Sequence, residues 1–133
     1  MAAAAEALRS TRRVTSLYSV GFCFGRRVSF LLGTVAELAM AGVIGFYGRP
    51  VGHFANDTPA PADVTDQLYA PVLGIFGAAD LKISSEDVEA FEVAQARAPA
   101  PHSFFDRKHA DHAGAAAEAW SEVRAFIDVA ASS

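Results

Sequence analysis

Three short apolar runs punctuated by glycine constrain this chain most: VTSLYSVGF at 14–22, GVIGFY at 42–47 and PVLGIFG at 71–77. Their β-branched and aromatic content reads as strand. The second and third lack alternating polar positions, as expected of strands covered on both faces. Helical stretches lie between and around them. Residues 2–12 are alanine-rich, with Glu6, Arg9 and Arg12 interspersed; that composition favours helix. Residues 26–41 carry Val28, Leu31, Val35 and Leu38 at spacings of three and four, and 109–131 place Ala116, Trp120, Val123 and Ile127 down one face. Strands alternating with helices predict an α/β layer architecture with a mostly parallel sheet of three or four strands. At 133 residues and 52% hydrophobic content the chain has material for one core and not two, so residues 1–133 are read as a single domain.

The remaining segments are less regular. Residues 48–70 hold Pro50, Pro59 and Pro61 among Gly, Asn and Asp, and read as loop with one turn of helix near 63–68. Ser84 or Ser85 followed by Glu86 and Asp87 marks a helix start, with the helix running to about Phe91. Residues 92–98 fit helix or strand equally, and 99–107 read as loop. A net charge of −4 gives no nucleic-acid surface. No apolar run approaches the ~18 residues of a membrane span. The start, MAAAAEALRSTRR, has no apolar core of the kind that secretory signals carry. One cysteine excludes an internal disulfide and a multi-cysteine metal site, and leaves a reactive thiol open.

That cysteine sits in Gly21-Phe22-Cys23-Phe24-Gly25, where a predicted strand meets a predicted helix. Gly-x-nucleophile-x-Gly in that setting is a nucleophile elbow. The turn is tight enough to demand small residues on either side, and it leaves the nucleophile standing free at a helix N-terminus. There the helix dipole, with Arg26 and Arg27 in the first turn, favours a thiolate. The Phe24 N–H points where an oxyanion forms. The competing reading is a small buried hydrophobe, the usual role of a free cysteine.

An elbow nucleophile needs a base and an orienting acid. In α/β-hydrolases these follow in the order nucleophile, acid, histidine, each in a loop after a strand. Asp80 fits, in Gly77-Ala78-Ala79-Asp80 after the third run, and so does His102, in Pro99-Ala100-Pro101-His102 before the last helix. Each has a plainer reading: a turn-forming Asp and a solvated loop histidine. His109 and His112 flank Asp111 but lack a third zinc ligand, and His53 lies in a Gly/Pro loop.

The strings GFCFGRR, GVIGFYG, TPAPAD, PVLGIFGAAD and APHSFFDR resemble the dienelactone hydrolase family of α/β-hydrolases, over nearly the whole chain. The resemblance implies a partial α/β-hydrolase fold with Cys23 as nucleophile, His102 as base and Asp80 as its orienter. It also implies a cytoplasmic hydrolase of small lactones or esters, carboxymethylenebutenolidase-like, working through an acyl-cysteine without a cofactor. Arg107 is a candidate to hold a substrate carboxylate, or else a surface charge before a helix. Tyr47, ending the second strand, is a candidate pocket residue or a packing residue.

Three departures from the family pattern carry expectations. The chain begins one helix before the elbow strand, so the second oxyanion donor and an acidic residue that pairs with the cysteine are expected to be missing. That costs on the order of 10²–10³ in rate. It also exposes one edge of the first strand for pairing with a second copy or with a complementing N-terminal half. Only 22 residues separate Asp80 from His102, ending in EVAQARAPAPH without the family's tyrosine–proline–glycine approach; a short or absent last strand and a displaced His102 are expected. Position 26 is Arg where the family has glycine. That arginine is expected to face solvent or to loosen the elbow.

Overall fold

The computed structural model describes residues 2–11, 14–52, 58–77, 80–84 and 113–131. Three parallel strands, β1 (Tyr18–Phe22), β2 (Gly42–Phe46) and β3 (Val72–Ile75), lie in that order. β1 and β2 align Tyr18 with Gly42 through Phe22 with Phe46, and β2 and β3 align Val43 with Val72 through Phe46 with Ile75. All five residues of the central strand are buried, as its unbroken apolar run requires. The helices are α1 (Ala2–Thr11), α2 (Phe24–Leu32) and α3 (Ala113–Ala131). Residues 85–91 of the helix predicted from Ser84 or Ser85, residues 109–112 of the last predicted helix, the ambiguous 92–98 and the loop 99–107 lie outside the described residues.

The pleat sorts β2's side chains to two faces. Val43 packs with Phe30 of α2 and with Ala70. Ile44 and Phe46 join Leu73 and Ile75 of the sheet with Ala115, Ala119 and Val123 of α3. Helices therefore cover both faces. Phe22 stacks on Phe46 with ring centroids 4.7 Å apart, and Trp120 meets Phe46 edge-on at 6.3 Å. α1 packs through Ala5 against Leu17, just before β1, and Leu38, in the turn that follows α2. Among the described residues β1 pairs with β2 alone, and its Val20 is 44% exposed. No described helix is long and apolar enough to cross a membrane.

Two expectations need correction. The helix predicted over 26–41 ends at Leu32. There Gly33, Thr34 and Val35 donate to Phe30, Leu31 and Leu32, tightening the last turn, and a Cβ on Gly33 would sit tight against Leu68 and Val43, at 3.0 and 3.2 Å. The helix's inward face is also not the valine–leucine stripe. Of its residues Val28 is exposed, as is Val35 beyond the helix, while Leu38 is buried; within the helix Arg26, Ser29 and Phe30 are buried. The elbow sets the phase: with the helix starting at Phe24, positions 26 and 30, one turn apart, must face the sheet.

Candidate active site

β1 runs straight into α2 through one residue, Cys23. Its N–H donates to the Phe46 carbonyl (3.1 Å), extending the β1–β2 ladder, while its own carbonyl accepts from the Arg26 N–H (3.2 Å), opening the helix. No ordinary backbone conformation does both. Cys23 sits at φ 53°, ψ −118°, a region L residues avoid at a cost on the order of 1–3 kcal/mol. Its thiol side is exposed, so the reading of Cys23 as a buried hydrophobe is set aside. Because glycine tolerates that backbone, Cys23→Gly is expected to raise unfolding stability by about 1 kcal/mol, checked by denaturant titration.

The two elbow glycines play unequal parts. A Cβ on Gly21 would lie 2.1 Å from the Gly25 carbonyl oxygen, whereas one on Gly25 would meet nothing within 4 Å. The expectation that both flanks need small residues holds for Gly21 and is corrected for Gly25.

The carboxyl ends of the three strands open onto one cavity of about 460 Å³, lined by Cys23, Phe24, Arg27, Gly48, Arg49, Leu81, Lys82 and Ile83. This is where parallel α/β sheets bind ligands. Among the described residues the lining holds three cations and no acid. Arg27 is anchored, donating to the carbonyls of Gly52 (2.6 Å) and Thr58 (2.7 Å); burial lowers its pKa, partly offset by Asp63. Arg49 and Lys82 escaped the sequence reading. The signal was their place, each in the loop after a strand end.

Asp80 is buried at the start of the loop after β3. Its Oδ1 accepts the Lys82 N–H (3.0 Å), and its carbonyl accepts the Ile83 N–H (3.1 Å). The carboxylate thereby shapes the turn that brings Leu81, Lys82 and Ile83 to the cavity. His102 and Arg107 lie outside the described residues, as do His53, His109, Asp111 and His112. Tyr47 is fully buried, packed on Phe22 and Phe46. It is not among the described residues that line the cavity. Like Cys23, it sits at positive φ, 33°, directly after its strand.

Arg26 overturns the expectation of a solvent-facing residue. It is fully buried, with its guanidinium carbon 4.5 Å from the Phe30 ring centroid and 4.3 Å from that of Phe76. It donates to the Gly48 carbonyl. Desolvation, and then the neighbouring charge of Arg27, push its pKa down to about 9. The side chain is admitted because β2 has glycine opposite it: a Cβ on Gly45 would lie 2.2 Å from Arg26 Cγ.

The sequence profile of the dienelactone hydrolase family matches residues 1–130. The chain belongs to the dienelactone hydrolase family. An Escherichia coli relative described as a carboxymethylenebutenolidase is 33% identical over 132 residues, covering 90% of this chain and 48% of the relative. One from Saccharolobus solfataricus, described in the same way, is 29% identical over 89% of this chain and 46% of its own. The crystal structure of a Klebsiella pneumoniae protein described as a dienelactone hydrolase superposes with a TM-score of 0.70 at 28% identity, over 83% of this chain and 50% of that one. This dienelactone hydrolase family chain thus spans about half the length of the relatives it matches, and its sheet and flanking helices are part of an α/β-hydrolase fold.

Proposed function

We propose that this chain carries the nucleophile of a dienelactone-hydrolase-type enzyme that cleaves small lactones or esters through an acyl-cysteine. The observation that carries the reading is Cys23, held at positive φ between a strand and a helix with its side chain exposed to the cavity. In the proposed reaction His102 takes the Cys23 thiol proton while Asp80 orients the imidazole. The thiolate attacks the acyl carbon, the Phe24 N–H donates to the oxyanion, and the ring or ester oxygen departs with the proton from His102. Water deprotonated by His102 then attacks the thioester and releases the acid and the thiol. A thiol nucleophile suits a reducing compartment, which favours the cytoplasm.

Arg49 and Lys82 on the lining, together with Arg107, favour substrates that carry a carboxylate. Lys82→Ala is therefore expected to raise KM for a carboxylate-bearing lactone about tenfold and to leave hydrolysis of neutral p-nitrophenyl acetate within about twofold. Steady-state kinetics on the two substrates check this. Turnover of either ester by purified protein, lost in Cys23→Ser and in His102→Ala, tests the reading as a whole.

A second reading has its own observation. β1 is bonded on one side only among the described residues, with Val20 exposed on it. Such an edge is a template for another strand, and the reading is a non-catalytic α/β unit that associates there, with a second copy or with a complementing half. A defined oligomer without turnover above that of Cys23→Ser favours this reading over hydrolysis.

A further inference from the structure

We propose that Arg26 is a positioning residue for the elbow, tying the segments that follow all three strands into one unit beneath Cys23. The inference rests on the reading of Cys23 as nucleophile. Arg26 belongs to the first turn of α2, three residues past the nucleophile. Its guanidinium bonds to the carbonyl of Gly48, which follows β2, and lies over the ring of Phe76, which follows β3. Phe30 closes the other side from the next turn of α2. Those three segments are the ones that must keep fixed relative positions if a nucleophile on the first is to meet partners on the others.

The contact with the nucleophile is close. The position that a Gly48 Cβ would occupy lies 2.6 Å from the Cys23 carbonyl oxygen and 2.9 Å from Arg26 Cδ. Gly48 is therefore wedged between the residue that carries the thiol and the arginine that grips it. A shift of the Gly48 carbonyl moves the Cys23 peptide, and with it the Phe24 N–H proposed as oxyanion donor. A guanidinium suits this place because its planar fork stacks on aromatic faces while donating in its own plane. A purely apolar filler would pack the slot without holding the carbonyl.

The test uses the full chain with Arg26→Met, Arg26→Lys and, as a variant that leaves the arginine in place, Phe76→Leu. Three quantities are read: thermal stability, amide hydrogen exchange over residues 22–26, and the rate at which p-nitrophenyl acetate acylates Cys23. Methionine fills the slot and removes a buried charge, so the melting temperature is expected to hold or rise. Exchange at 22–26 is expected to speed up about tenfold, and acylation to slow about tenfold with KM unchanged, as for a misplaced reacting group. Arg26→Lys is expected to recover part of the lost rate, and Phe76→Leu to give a smaller loss of the same kind. Wild-type exchange and acylation in Arg26→Met overturn the proposal. So does a parallel fall of stability and rate without rescue by lysine, which is a purely structural role. If the unsubstituted chain does not acylate at all, the nucleophile reading fails, and the exchange data alone decide whether the clamp exists.

Discussion

Gly21→Ala is expected to cost this chain about 3 kcal/mol or more, a large share of the ~5–15 kcal/mol that holds a domain together. The new methyl would lie 2.1 Å from the Gly25 carbonyl oxygen, 2.3 Å from its carbon and 2.6 Å from the Arg26 nitrogen. All three are backbone atoms of the first turn of α2, so no side-chain rotation relieves the clash. The helix must lift off the strand, breaking the bond from the Arg26 N–H to the Cys23 carbonyl, or β1 must slip against β2. Gly25→Ala is the matched control, since it adds the same methyl in open space and improves helix propensity by up to ~1 kcal/mol. Urea titration of both variants measures the difference. Equal stabilities would mean that the strand does not enter the helix by this turn.

Cys23→Ser is expected to lower ester hydrolysis on the order of 10³-fold or to the uncatalysed rate, with stability changed by less than ~1 kcal/mol. The substitution keeps the shape and the strained backbone, so what it removes is the polarisable thiolate. A serine hydroxyl at the same place must lose a far less acidic proton. The expected contrast with Cys23→Gly is in stability: glycine is the variant that relaxes φ 53°, and only that variant gains. Parallel kinetics and unfolding curves for the two variants separate chemistry from strain.

The fold was legible where a single local rule decided it. The glycine-bounded apolar runs became three parallel strands, and the elbow was readable because the turn admits only a narrow backbone geometry. Residues 14–17 fell outside β1 although their composition suits a strand, because pairing with β2 begins only at Tyr18. What the sequence hid was set by tertiary contacts. The valine–leucine spacing misplaced Val28, which is exposed, since the phase of the helix comes from the turn before it. Arg26 looked like a surface charge because nothing local reveals that Gly45, Gly48, Phe30 and Phe76 converge to enclose it. Arg49 and Lys82 carry no motif; only the meeting of loops from different strands puts them beside Cys23. Tyr47 offered two readings, packing or pocket, and its ring is buried in the core cluster shared with α3.

Activation of Cys23 by the fold is the proposal on which the mechanism rests. The most direct measurement is the rate at which p-nitrophenyl acetate acetylates that thiol in the folded chain and in the chain unfolded by urea, followed by intact mass and located by peptide mapping at one pH. A single acetyl group is expected on Cys23, formed at least ~10²-fold faster in the folded chain and lost again on standing as water completes the cycle. A folded-chain rate no greater than that of the unfolded thiol would contradict the proposal.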